Sequence, residues 1–136
     1  MTALVPLDDR TLVAGQIDPA DMPSIAAAGV QMVVNNRPDG EEPGQPSGEA
    51  IRAAAEEVGL AYRHVPVAGG LSAEQVAALA GVLGETEGKV LLYCRTGTRS
   101  TYLWALAEAS RGGDAETLIA QAGAAGYDLS SLRPHL

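Results

Sequence analysis

Short apolar runs alternate along this chain with alanine-rich stretches of helical spacing, and turn residues punctuate nearly every change. Residues 12–14 (LVA) form a brief apolar run closed by Gly15, a first strand. Asp18 followed by Pro19 marks a helix start, and the alanine-rich turns after it stop at Gly29. Residues 30–35 (VQMVVN) read as a buried strand. The next stretch, residues 36–46 (NRPDGEEPGQP), is too rich in Pro and Gly to be regular. Ser47 caps a second helix with Glu49 in its first turn and Gly59 at its end. Residues 60–67 alternate weakly and predict a third strand, broken by Gly69-Gly70. Ser72 with Gln75 three residues on is a capping box, opening a helix to about residue 85. Residues 90–93 (VLLY) are the most strand-like run and deliver Cys94 at their C-terminal end. A helix over about 100–111 follows. Asp114 caps a last helix that stops around 123–126, and residues 128–136 are expected to be irregular.

Helices between successive strands predict an α/β fold, a mostly parallel four- or five-stranded sheet flanked by helices. Residues 1–136 are expected to form one domain, with no repeat and no linker. In such sheets ligands bind beyond the carboxyl ends of the strands. That rule gathers three loops into one crevice: residues 35–46, 68–71 and 94–100.

Composition narrows the partners. The chain has 136 residues, 9 Lys+Arg against 17 Asp+Glu and a net charge of -8. An acidic chain is poorly suited to nucleic acid or an anionic membrane, both of which call for basic surface. No apolar run reaches the roughly 18 residues a membrane-spanning helix needs. The N-terminal MTALVPLDDR lacks the basic and apolar regions of a signal peptide, so a cytoplasmic location is expected. One cysteine and two histidines, His64 and His135, leave no disulfide framework and no expected metal centre or cofactor.

The chemistry concentrates in Cys94-Arg95-Thr96-Gly97-Thr98-Arg99-Ser100. A thiol becomes a strong nucleophile as thiolate, and a helix N-terminus with adjacent arginine brings a cysteine down to roughly pKa 3.5–7.5. Gly97 permits a loop whose successive N–H groups converge above the sulfur. An anion held there would meet backbone donors, a helix dipole and a guanidinium. A lone cysteine at a strand end is more often inert core. Two flanking arginines and Gly97 argue for catalysis instead, because core sulfur has no use for them.

CRTGTRS after LLY, together with NNRPDGEEPGQP and the C-terminal GYDLSSLRP, resembles the bacterial beta-lactamase-hydrolase-like family, phosphatase-like domain. The resemblance covers residues from about Gly15 to Pro134. It implies a dual-specificity-phosphatase-like fold, Cys94 as nucleophile and Arg99 as the anion-binding arginine. Family members have been described as phosphatases and as sulfurtransferases, and some are fused to a persulfide-oxidising domain. Such an enzyme is therefore a possible partner.

The residues depart from the cysteine-phosphatase pattern in three places. Only four residues separate Cys94 from Arg99, Tyr93 stands where a histidine is usual, and Ala68 or Gly69 occupies the general-acid position in VPVAGG. Losing a general acid forfeits about 10²–10⁴ in rate. C-R-x-G-x-R instead resembles the rhodanese loop, where sulfite or a thiolate departs without protonation. The favoured expectation is a sulfurtransferase carrying sulfane sulfur as a Cys94 persulfide, from thiosulfate or a small persulfide. The alternatives are a phosphatase acting through phosphocysteine and a non-catalytic anion-binding or redox-sensing module.

Arg95, Thr96, Gly97, Thr98 and Ser100 are expected to line the anion site, with Thr98 and Ser100 as possible donors to the sulfur. Ser100 is equally suited to cap the following helix. Asn36 and Arg37 end a strand beside the crevice and are candidates for bracing the loop and binding substrate; Asn35 reads as structural. Asp39 is a possible general acid, with Glu41 and Glu42 near it, although a solvated acidic loop is the simpler reading. Tyr93 and Trp104 read as packing residues and His64 as a structural imidazole. Gly69-Gly70 suits a plain turn or the close approach of a large thiol.

Overall fold

The computed structural model describes residues 2–136. Five strands, β1 (Val5–Pro6), β2 (Thr11–Ala14), β3 (Val30–Asn35), β4 (Ala61–His64) and β5 (Lys89–Tyr93), form one sheet in the order β1-β2-β5-β3-β4. All neighbours are parallel except β1, which runs antiparallel to β2. Helices α1 (Met22–Ala27), α2 (Gly48–Glu57), α3 (Ala73–Glu85), α4 (Thr98–Ser110) and α5 (Ala115–Ala124) cover the two faces.

Alternation along the central strand explains the layering. Val90 and Leu92 of β5 join Leu79, Leu83, Leu103 and Trp104 in the core under α3, α4 and α5. Leu91 and Tyr93 point the other way, onto Ile25, Ile51 and Ala55 of α1 and α2. Successive side chains of a strand face opposite sides, so a run buried on both faces reads as continuous apolar sequence. Fully burying one such aliphatic side chain contributes about 1.5–3 kcal/mol. A register shift between Val30 and Met32 places exposed Gln31 outside the layers and sends Val30 to the α1/α2 face beside Val33.

The caps lie where the sequence puts them. The side chains of Ser47, Ser72 and Asp114 accept from Ala50, Gln75 and Thr117 backbone N–H groups, and the Ser72/Gln75 box is complete. Other features differ. Asp18 opens a 3-10 turn over Pro19–Asp21 before α1 begins. β4 ends at His64 because Pro66 has no N–H for the ladder, although Val65 and Val67 N–H still donate to Asn35 O and Asn36 O. The tail is a 3-10 segment, Ser130–His135, rather than irregular. β1 has no counterpart in the sequence reading, since two residues carry no detectable period.

Candidate active site

β5 ends at Tyr93 and α4 begins at Thr98, so only residues 94–97 cross between them. Gly97 is the N-cap at φ 90, a left-handed conformation that other residues resist. A Cβ there would collide with the Tyr127 hydroxyl. The helix starts two residues earlier than its sequence suggests, so Arg99 and Ser100 sit in its first turn and Ser100 is not the cap. The tight crossing turns the Gly97 N–H onto Cys94 Sγ at 3.1 Å. That donor and the α4 N-terminus both favour negative charge at the sulfur.

Neighbouring strand ends hold this loop. Buried Ser100 donates through Oγ to Asn36 Oδ1 at 2.8 Å. Asn36 in turn donates through Nδ2 to Val65 O (2.9 Å) and through its N–H to Tyr93 O (2.8 Å). One residue, through its backbone and its side chain, thus ties the ends of β3 and β5 to α4 and the segment after β4. Gln16 N–H donates to Arg95 O at 3.1 Å, and Tyr127 Oη donates to Thr96 O at 3.0 Å. A Cβ on Gly15 would come within 3.0 Å of that same Arg95 oxygen, so the turn after β2 lies directly against the loop.

Charge enters from residues 37–46. Arg99 NH1 and NH2 grip Glu41 as a fork at 2.8 and 2.9 Å, and NH1 also donates to Val67 O at 2.9 Å. Arg37, whose side chain is 3% exposed, donates to Glu41 (2.8 Å), Glu42 (2.6 Å) and Gln16 (2.9 Å). Arg95 Nε reaches Glu42 at 3.0 Å. The hydrogen bonds from Arg99 and then Arg37 hold the Glu41 carboxyl down to about 2. Glu41 correspondingly raises Arg99, and the Cys94 sulfur beside the guanidinium adds to that shift. Cys94 itself is 0% exposed. Two clefts border the arginines of its loop, one of about 300 Å³ lined by Val67, Leu71, Arg99 and Tyr102, the other of about 380 Å³ lined by Gln16, Arg37, Gln45 and Arg95.

Several expectations change. The surroundings of Cys94 are not simply basic, because Glu41 and Glu42 offset two of the three guanidinium charges. Those glutamates are ion-paired, not a solvated stretch. Asp39 does not face the sulfur loop; its Oδ1 accepts from Gly48 N–H at 2.7 Å and so caps α2. Arg37 is buried and already bonded to three internal partners, which fits a role in bracing the loop. The Ser100 hydroxyl is spent on Asn36, and exposed Thr98 pairs with Thr96 at 3.1 Å, so the N–H of Gly97 takes the donor role expected of them. Arg95 turns outward, its side chain 62% exposed. His64 Nε2 bonds Arg37 O at 2.9 Å, and Trp104 is wholly buried in the core. Glu41 as a partner of Arg99, and Tyr127 over the loop, carried no usable signal: the first contact spans 58 positions, the second 31. Gly15 had one, a glycine directly after a strand.

Among the described residues no group of three or more His, Cys, Asp or Glu could hold a metal ion, and no helix is long and apolar enough to cross a membrane.

A parallel sheet that brings a cysteine to the N-terminus of a helix, with an arginine in that helix's first turn, defines a cysteine-phosphatase-like domain. Residues 4–111 match the family model described as "Beta-lactamase hydrolase-like protein, phosphatase-like domain", and the chain belongs to that family. A Beta-lactamase hydrolase-like protein of Xylella fastidiosa is 40% identical over 106 residues, which are 77% of this chain and 25% of that protein. The chain thus corresponds to about a quarter of the curated relative's length. The structure of a candidate phosphatase from Neisseria meningitidis superposes with a TM-score of 0.83 at 34% identity, covering 96% of this chain and 93% of that one. Tk-PTP in its active form shares the fold at a TM-score of 0.75 and 20% identity, covering 96% and 90%.

Proposed function

We propose that this domain is a thiolate-dependent phosphatase acting on small phosphate monoesters through a phosphocysteine on Cys94. The observation that carries the reading is the junction at Cys94: a sulfur held under the Gly97 N–H at 3.1 Å, beside the Arg99 guanidinium, within a fold and family of phosphatase-like proteins. In the first step Sγ attacks phosphorus and the ester oxygen departs with the bonding pair. Water then attacks the phosphocysteine, releasing phosphate and restoring the thiolate. Gly97 N–H and Arg99 stabilise the equatorial oxygens as charge develops on them.

Among the described residues neither candidate acid is free to protonate the leaving oxygen: Asp39 accepts from the first turn of α2, and Glu41 is ionised by Arg99 and by Arg37, which stays with it if the Arg99 fork opens. The leaving group must therefore depart as an anion, which favours aryl or acyl phosphates over alkyl ones. The expectation favoured sulfur transfer; the family and the solved relatives give more support to the phosphatase alternative.

One observation favours the second reading. Four residues between Cys94 and Arg99 make a shorter cradle, and a missing acid suits the transfer of sulfane sulfur from thiosulfate through a persulfide. With no second cysteine, an external thiol would discharge it, and a persulfide-oxidising partner would then fit.

Intact-mass measurement and phosphate release on wild type and Cys94→Ser, each given an aryl phosphate or thiosulfate, separate the two. Wild type is expected to release phosphate, and the variant to lose at least about 10⁴-fold of that rate. A gain of one sulfur on Cys94 without phosphate release overturns the reading in favour of transfer. No signal with either compound leaves an anion-binding or redox-sensing module.

A further inference from the structure

We propose that Glu41 is an internal competitor that occupies the Arg99 fork and sets the affinity threshold an incoming anion must meet, one that a compact dianion can reach. The inference rests on the Cys94 loop being the anion site and is indifferent to which of the two reactions occurs there.

Both oxygens of Glu41 are engaged. Oε1 accepts from Arg37 Nε at 2.8 Å and from Arg99 NH2 at 2.9 Å, and Oε2 accepts from Arg99 NH1 at 2.8 Å. This is the bidentate geometry with which arginine binds a phosphoryl or sulfonyl group. The carboxylate therefore holds the donors an incoming anion needs. It is also delivered by a preformed loop. Gln45 bridges that loop, accepting from Glu41 N–H at 3.0 Å and donating to Pro38 O at 2.9 Å, while Asp39 anchors it to α2. A tethered competitor acts at high effective concentration.

Arg37 is buried and stays with the loop, whereas the Arg99 side chain is 28% exposed and is the donor a ligand can reach. Cys94, which faces Arg99, is 0% exposed while Glu41 is in place. The same displacement that frees the fork is proposed to open the approach to the sulfur, which lies beside Arg99. Opening costs the same whichever anion enters, so it weakens every anion by one common factor. A monoanion returns to Arg99 only the charge it lost. A dianion such as a phosphate monoester or thiosulfate adds a second charge for the Gly97 N–H and the α4 N-terminus, and so retains useful affinity.

Cys94 is the single cysteine, so alkylation by neutral iodoacetamide reports the open state without any turnover. The rate is measured at constant ionic strength, alone and with inorganic phosphate, for wild type, Glu41→Gln and Glu42→Gln. Glu42→Gln removes the same charge without touching the Arg99 fork. Glu41→Gln is expected to be labelled about tenfold faster and to be half-protected by about tenfold less phosphate, because both report one opening equilibrium. Glu42→Gln should change each by about twofold or less.

Three results overturn the proposal: no change in Glu41→Gln; faster labelling without tighter phosphate protection, which makes Glu41 a cover only; or an equal effect in Glu42→Gln, which makes it a general charge effect. Near-UV circular dichroism of Trp104 checks folding. Should Glu41→Gln unfold, Glu41→Asp, which keeps the charge but shortens the reach, must still raise labelling above wild type or the proposal fails. If wild type hydrolyses no phosphate ester yet the labelling pattern holds, the phosphatase reading falls and the competitor role stands.

Discussion

Residues 94–97 pass from β5 to α4 on backbone geometry, with Gly97 at φ 90 and its N–H on the sulfur. Residues 37–46 cross the same region on side chains, with Arg37, Glu41, Glu42 and Gln45 bonded to one another and to Arg95 and Arg99. Four residues locked by main-chain angles have little room to move. Ion pairs between partly exposed groups are individually weak and exchange readily. The first loop therefore sets where the sulfur sits, and in the proposal above the second sets when it can be reached. Sharing Arg99 between them lets one molecule hold both a rigid nucleophile and an adjustable entrance.

Damage to the backbone-built loop should be the largest effect. Gly97→Ala imposes a left-handed conformation worth about 1–2 kcal/mol on an L residue and displaces Tyr127 as well. Turnover is expected to fall about 10²-fold through misplacement of the sulfur and its donor, as steady-state kinetics will show. Tyr127→Phe in the Gly97→Ala background, by removing the hydroxyl, should recover part of the lost stability but little of the rate.

Ser100→Ala removes the one donor to Asn36 Oδ1 among the described residues, in a fully buried setting. Leaving that acceptor unpaired costs about 1–3 kcal/mol. Thermal unfolding should drop by roughly 3–5 °C for each kcal/mol in a domain of this size.

The side-chain-built loop should reveal itself in acid. Glu41 is depressed from 4.5 to about 2, so its contribution to stability is complete above 4.5 and drains away as pH falls toward 2. Because the carboxylate is partly exposed, screening limits that contribution to about 1 kcal/mol. Urea midpoints at neutral and acidic pH should converge between wild type and Glu41→Gln as pH drops; a gap that widens in acid would contradict the sign.

Arg95→Ala should matter least. Its exposed pairing with Glu42 is worth at most about 1 kcal/mol, and turnover should change only a few-fold. A loss comparable to that of Gly97→Ala would place Arg95 on the substrate rather than outside it.

Much of this molecule is legible in one dimension. Short apolar runs, the Ser47, Ser72 and Asp114 caps, and glycine terminators mark the helices and the four parallel strands, because each signal is local. Cys94, Gly97 and Arg99 stand together in one short motif, so the candidate nucleophile and its anion donors could be read directly. β1 escaped because two residues show no pattern, and β4 was overextended because the chain keeps pairing beyond Pro66 through Val67. The separate contacts of Asp39, Glu41 and Glu42 are not legible in the sequence for another reason. All three lie on one acidic stretch and look alike there, yet one caps α2, one holds the fork and one bridges two arginines.

What the order of residues determined alone is the alternation of strand and helix and the chemistry placed at the end of β5, since hydrophobic period, capping and backbone freedom act over a few neighbours. Which arginine meets which carboxylate was decided only when the chain closed on itself. Pairings such as Arg99 with Glu41 depend on where distant loops are set by the packing of a shared sheet, and no local preference encodes that distance.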